Sequence, residues 1–324
     1  MTTTITTRQE WISSKCTGNK KALLVGINYS GTDSSLDGCH SDVTRMHKFI
    51  TQTYGFPEEN IVVLKDDNKL SHRYQPTKAN ILYWMQWLVT DAQPHDSLFF
   101  HYSGHGGQRT DRDGDEIDYE DECIYPIDSI PVTDASDEQI QSTRGKVIID
   151  DELHRYLVSP LSPGVRLTAI FDSCHSGSVL DLPFMYSAAS GKLKEGKFLA
   201  EQDAFEKAEG TRKGRGVLAG ALKDLERLDG VKAHVKQVER LEERNESLAD
   251  IVLISGCKDT QTSADASEDG VPTGALSWAL MATLKENPEP TYLELLDGSE
   301  EKYDQLPQLS TGHPMDLSEF PIPF

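Results

Sequence analysis

No stretch of the 324 residues is apolar over the length of a membrane span, so a membrane role is not expected. Met1 to Glu10 is polar and Thr-rich and carries no signal-peptide core. Cysteine is scarce. Cys16, Cys39, Cys123, Cys174 and Cys257 are odd in number, far apart and without a CxxC pair, which argues against a disulfide framework and a structural zinc site. A reducing interior, cytoplasm or nucleus, is the expected location. Positive charge is also scarce: 32 Lys and Arg face 53 Asp and Glu, for a formal charge of −21. That argues against non-specific nucleic-acid binding and against attraction to anionic membranes, and it favours cationic partners such as metal ions and basic peptides. Hydrophobic residues make up 37%, a little low for a globule, so a core is expected to leave part of the chain outside it. There are no internal repeats.

Against this polar background stand five short, nearly continuous apolar runs: Ala22 to Ile27, Ile61 to Leu64, Ser97 to Tyr102, Arg166 to Phe171 and Asp250 to Ser255. Their lack of alternation predicts buried strands of a parallel sheet covered on both faces. Helical patterns lie between them, at Ser41 to Tyr54, after Pro76-Thr77 (with Ile81, Leu82, Trp84, Met85 and Leu88 in step), at Asp151 to Val158 and at Gly274 to Lys285. Trp278 and the other residues of Gly274 to Leu280 are expected in that last helix's core. Alternating strand and helix predicts an α/β class with a mainly parallel sheet. Cys123 to Ile127 and Lys146 to Ile149 read as a small appended hairpin. Gly191 to Ser247 holds 13 Lys/Arg and 12 Asp/Glu in 57 residues and no strong strand, which predicts a solvated linker or helical insertion rather than a separate domain. Val217 to Leu228 and Val231 to Leu248 are its candidate helices.

Two strand ends carry chemistry. Phe99-Phe100-His101-Tyr102-Ser103-Gly104-His105-Gly106-Gly107 runs from an apolar strand into a Gly-rich turn with histidines. Ala169-Ile170-Phe171-Asp172-Ser173-Cys174-His175-Ser176-Gly177 does the same with a cysteine. Open α/β sheets bind ligands at the carboxyl ends of their strands. A histidine there is often only a hydrogen-bonded surface residue, and a buried cysteine is usually a small hydrophobe. Cys174, however, sits in a polar turn. A thiolate and an imidazole on two such strands make the constellation of a cysteine hydrolase.

The chain resembles the metacaspases, caspase-like cysteine peptidases of fungi, protists and plants, and within them the type I group. The residues that carry the resemblance are KALLVGINY (21–29), GCHSD (38–42), HYSGHGG (101–107), DRDGDEIDYEDECIYPID (111–128), DSCHSG (172–177), SGCKDTQTSADA (255–266), TGALSWAL (273–280) and QLPQLSTGHPMDL (305–317). The resemblance implies a caspase-like α/β/α sandwich. A large unit (1–185) and a small unit (249–324) would flank a charged processing linker (186–248) and share one fold, as a monomer. It implies His105 and Cys174 as the catalytic dyad. Cys174 would attack a peptide carbonyl, His105 would keep the thiol ionised and then protonate the leaving amine, and backbone N–H groups of Cys174 and Gly106 would hold the oxyanion.

The same resemblance puts Cys39, Asp42, Ser103 and Asp172 in the primary specificity pocket. Strand alternation independently sets Asp172 on the side of Cys174 and Ser103 on the side of His105. Two carboxylates in a partly buried cleft predict a preference for Arg or Lys; a helix N-terminal acid at Asp42 and a structural salt bridge at Asp172 are the competing readings. Asp111 to Glu122 packs eight acids and one base into twelve residues, crowding that a divalent cation relieves. An EF-hand fails there, because Arg109 would occupy its first ligand position. The resemblance instead assigns a calcium site to Asp121, Asp150, Asp151 and Asp181. Lys192 and Lys194, flanked by small residues, match where type I relatives are processed, which predicts self-cleavage; Arg212, Lys213 and Arg215 are later candidates. The competing reading is a calcium-responsive, non-proteolytic scaffold that binds misfolded or aggregated chains.

Overall fold

The computed structural model describes residues 11–110, 120–133, 135–143, 145–174, 178–187, 247–256, 265–268, 271–287, 289–296, 307–315 and 317–318. Its centre is a seven-stranded sheet. The strands β1 (Lys20–Gly26), β2 (Ile61–Lys65), β3 (Ser97–Ser103), β7 (Arg166–Asp172), β8 (Phe184–Ser187), β9 (Asp250–Ser255) and β12 (Gln308–Thr311) lie in the order β2-β1-β3-β7-β9-β12-β8. The first five in that order pair in parallel, and β12 and β8 close one edge antiparallel. The five apolar runs are these parallel strands. Every residue of β3, β7 and β9 is buried, apolar at their centres and polar mainly at their ends. β12 (QLST), between β9 and β8, has Leu309 as its one apolar residue, and the edge strand β8 (FMYS) is only four residues long, so neither stands out from loop in the sequence.

Strand alternation divides the core between two layers. Leu23, Val25, Leu98 and Phe100 face one side, with Ile81, Met85 and Leu88 of helix α2 (Lys78–Val89) and Leu153 and Leu157 of α4 (Asp150–Leu153, continued by a π turn over His154–Val158). Ala22, Leu24 and Phe99 face the other, with Val43, Met46 and Ile50 of α1 (Cys39–Tyr54) and Leu276, Leu280 and Met281 of α5 (Ala275–Glu286). Thr77 caps α2 by accepting Asn80 N–H, and Gly55 ends α1 at φ 66 with its N–H on Ile50 O. Trp278 is half-buried rather than a core residue of α5.

The expected hairpin is a three-stranded sheet. β4 (Gly106–Thr110), β5 (Glu120–Ile124) and β6 (Ile148–Ile149) pair in that order, antiparallel. β4 reads GGQRT, with no apolar residue to announce it. α3 (Asp137–Thr143) and the hairpin of β10 (Asp265–Glu268) and β11 (Val271–Gly274) were likewise not anticipated from the sequence. The segment from Gly191 to Asn245, with its candidate helices, and Lys192, Lys194, Arg212, Lys213 and Arg215 lie outside the described residues. Residues on both sides of it share the central sheet. Arg166 on β7 meets Asp250 on β9 at 2.8 Å, both buried, and also donates to Tyr292 Oη. Burial opposes the charge on Arg166, but Asp250 outweighs it and keeps the guanidinium firmly protonated.

Candidate active site

The parallel register of β3 and β7 sets Ser103 opposite Asp172. His105 and Cys174 each lie two residues further on, so the two turns emerge side by side at the carboxyl edge of the sheet. They touch: a Cβ on Gly106 would overlap the Cys174 carbonyl oxygen, so only glycine allows this approach. Cys174 is half-buried, and so is His105.

The His105 turn hangs on tyrosines. Its backbone N–H donates to Tyr29 Oη at 3.0 Å, and its carbonyl accepts from Tyr102 Oη at 2.8 Å and from Tyr125 N–H at 3.2 Å. Tyr29 Oη in turn donates to Tyr125 O at 2.6 Å, and the Tyr29 ring lies 4.6 Å from the imidazole, centroid to centroid. Burial raises both the Tyr29 and Tyr102 hydroxyls well above the usual phenol range, so they remain neutral donors. The imidazole Nε2 lies 2.7 Å from Ser34 O. A carbonyl can only accept, so Nε2 carries the hydrogen and Nδ1 is left to exchange a proton. A backbone acceptor leaves no side-chain signature, and Ser34 therefore does not appear among the residues singled out from sequence.

Ser34 belongs to a loop fixed by a buried acid. Asp66, at the end of β2, accepts Asn28 N–H at 2.8 Å, Ser30 N–H at 3.2 Å and His40 Nε2 at 2.6 Å. Burial alone would raise the Asp66 pKa; the bonds from His40 and the two backbone donors outweigh it and hold the carboxyl below its usual range.

Asp42 and Asp172 are 1% and 4% exposed. Asp42 Oδ2 accepts from Ser103 Oγ at 2.8 Å and Oδ1 from Gly274 N–H at 2.9 Å. Asp172 Oδ2 accepts Ser277 N–H at 2.9 Å, in the first turn of α5. Two acids from separate sheet and helix ends therefore meet the start of α5, whose N-cap, Gly274, offers no side chain. A Cβ on Gly274 would overlap the Asp172 carboxylate. Cys39 opens α1 three residues before Asp42 and is buried, its carbonyl packed on Gly26. The sequence-predicted pocket residues Cys39, Asp42, Ser103 and Asp172 thus gather around the sheet's carboxyl edge. Gly274 and Ser277, which sequence reasoning left as helix core, join them. His101, fully buried on β3, meets Ser277 Oγ at 3.0 Å through Nε2, while its Nδ1 finds no hydrogen-bond partner among the described residues. Burial pulls its pKa down to about 3.

The acids assigned to calcium lie on neighbouring segments. Asp121 is on β5, and Asp150 and Asp151 open α4; Asp150 Oδ2 accepts Glu122 N–H at 2.7 Å and Oδ1 accepts Asp151 N–H at 2.9 Å. His154 Nδ1 donates to Leu180 O at 2.8 Å, beside Asp181, which adopts φ 49. Asp121, Asp150 and Asp181 are buried. Yet among the described residues no three or more His, Cys, Asp or Glu side chains are grouped to hold a metal ion, so the four acids do not form a closed cage as they stand.

Residues 20–183 match the metacaspase, peptidase C14 domain. Metacaspase-1A of Aspergillus terreus is 46% identical over 316 residues, covering 94% of this chain and 73% of that protein. Metacaspase-1 of Cryptococcus neoformans is 47% identical over 322 residues, covering 94% of this chain and 65% of that protein. Among solved structures, protein GSU0716 of Geobacter sulfurreducens superposes with a TM-score of 0.54 at 22% identity, covering 92% of this chain and 95% of that one, a likeness of fold alone.

Proposed function

From the premise that the chain belongs to the metacaspase family of cysteine peptidases, we propose that it is an endopeptidase that cuts after Arg or Lys, with Cys174 as nucleophile and His105 as its base and acid. The observation that carries this reading is the paired register of β3 and β7, which brings the two turns into contact. Cys174 Sγ gives up its proton to His105 Nδ1 and attacks the substrate carbonyl. Backbone N–H groups of Cys174 and Gly106 receive the oxyanion, and the imidazolium returns the proton to the departing amine. Water activated by the same imidazole then hydrolyses the thioester.

The preference for a basic residue rests on Asp42 and Asp172. Two buried carboxylates beside the nucleophile's turn create a negative potential that a guanidinium or ammonium relieves. Asp172→Asn and Asp42→Asn are each expected to lower kcat/KM on Arg substrates about a hundred- to several-thousandfold, because removing one partner of a buried ion pair costs roughly 3–5 kcal/mol. Unchanged Arg preference in both variants would overturn the pocket.

Calcium is the proposed activator and Asp121, Asp150, Asp151 and Asp181 its proposed ligands. The donor chemistry supports this: hard oxygens on adjacent segments, three of them buried. Binding would require the four to close together. Linker self-cleavage at Lys192 or Lys194 follows from the same basic preference. Both are tested by adding Ca²⁺ to purified protein. The melting temperature should rise in wild type and much less in Asp181→Ala, and new N-termini should appear after linker lysines in wild type but not in Cys174→Ala. Absence of a Ca²⁺-dependent shift would remove calcium from the account, and cleavage only after acidic residues would contradict the pocket.

A further inference from the structure

Beyond the acidic pocket, a second cleft adjoins the proposed catalytic turn. It encloses about 360 Å³ between the loop of Asp33 and Ser34 and a wall of Ile130, Pro131, Val132 and Ile140. Thr133 ties the two sides together, with its N–H on Gly31 O at 3.0 Å and its Oγ1 on Asp33 Oδ1 at 3.0 Å. Val132 is 54% exposed and Ile140 38%. Among the described residues only five large hydrophobic side chains are exposed, and these two share one cleft. Exposed apolar side chains converging on a concave, polar-rimmed site mark a binding surface rather than scattered surface hydrophobicity.

The position of the cleft says what would enter it. Ser34, on its wall, is the residue whose carbonyl holds His105 Nε2. The leaving amine takes its proton from Nδ1, and Ser34 O sits at Nε2 on the other edge of the same ring, so this loop lies about one ring's width from the substrate chain beyond the scissile bond. The acidic pocket formed with Gly274 and Ser277 serves the residue before the bond and lies on different elements. We propose that this cleft is a substrate subsite that takes an apolar side chain from the second residue after the scissile bond. It rests on the peptidase reading of His105 and Cys174. The cleft's size suits one large aliphatic or aromatic side chain, and Asp33 at its rim disfavours an acidic one.

The test uses the full chain with Ca²⁺ and internally quenched peptides that are identical except for Leu, Phe, Gly or Asp at the second position after the cleaved bond. The first set carries Arg before the bond; should another residue be preferred there, the set is rebuilt on it, which keeps failure of the acidic pocket separate from failure of the subsite. Wild type should cleave the Leu and Phe peptides about tenfold better in kcat/KM than the Gly peptide, with Asp poorest. Val132→Asp and, independently, Ile140→Ser should bring the Leu-to-Gly ratio to within about twofold of one. Leu293→Asp, which removes an exposed hydrophobe elsewhere, should leave the ratio unchanged. Because the readout is a ratio on one protein sample, a general loss of activity does not imitate the result. A wild-type ratio near one, or a ratio that survives both cleft variants, would overturn the proposal. Cleavage of every peptide by Cys174→Ala would instead overturn the peptidase assignment beneath it.

Discussion

His101 and His105 stand four residues apart on one strand and its turn, and burial gives them different chemistry. His105 is half-buried with Nε2–H on a carbonyl. His101 is fully buried, with its pKa near 3, and is a neutral strut between β3 and the Ser277 hydroxyl. His313, stacked on Trp11 at 3.8 Å, is similarly buried, and its pKa is pulled down to about 4. Above the ordinary histidine pKa of 6.5 both are neutral whether folded or unfolded and contribute no pH dependence. As pH falls through 6.5 the unfolded chain takes up two protons that the native protein refuses until near 4 and 3, so stability falls with pH in that window. The slope for each histidine approaches about 1.4 kcal/mol per pH unit. Urea melts between pH 6.5 and 5 should show this loss, and His101→Gln should remove close to half of it. An unchanged slope would mean that His101 is protonated in the native protein. In the sequence the two motif histidines could be told apart only by place: His101 lies inside the apolar run, His105 beyond it in glycines. Nothing in the sequence marked Ser34, and Gly274 and Ser277 stood inside a quoted segment without a site role, because a carbonyl, a backbone N–H and the absence of a side chain are contributions that residue identity does not announce.

At the scale of elements, the loop from Asn28 to Leu36 joins the sheet to the proposed catalytic turn. It is held at one end by Asp66 and presents the Ser34 carbonyl at the other. Asp66 is therefore a positioning residue. Asp66→Asn should lower kcat ten- to hundredfold with KM nearly unchanged, since a loosened carbonyl misplaces the imidazole without touching the substrate pocket. The pH profile of Cys174 alkylation should shift with it, a response that general destabilisation would not give. Equal kcat in the variant would detach the loop from catalysis. The five parallel strands and the helices at Cys39, Lys78 and Ala275 were legible because each buries a continuous or regularly spaced apolar set. The strands at Gly106, Phe184 and Gln308 were not. The first is an appended strand and the other two are four residues each, too short to show a period, so pairing, not hydrophobicity, defines them.

For the whole molecule, one sheet runs through residues on both sides of the charged linker. β7 and β9 pair in parallel, and the buried Arg166–Asp250 contact locks them at their amino ends. The opposite, carboxyl edge gathers everything proposed for chemistry: Asp42 from one helix start, Ser103 and Asp172 from two strand ends, and the first turn of α5 from beyond the linker. Asp42 and Asp172, the acids proposed to set specificity, therefore also join the two halves. The measurement that tests the central claim most directly is a panel of fluorogenic peptides differing only in Arg, Lys or Asp before the cleaved bond, run with and without Ca²⁺ on wild type and on Cys174→Ala. The account predicts cleavage of the Arg and Lys peptides by wild type in Ca²⁺, little of the Asp peptide, and none by Cys174→Ala. Turnover by Cys174→Ala, or a wild-type preference for Asp, would contradict it.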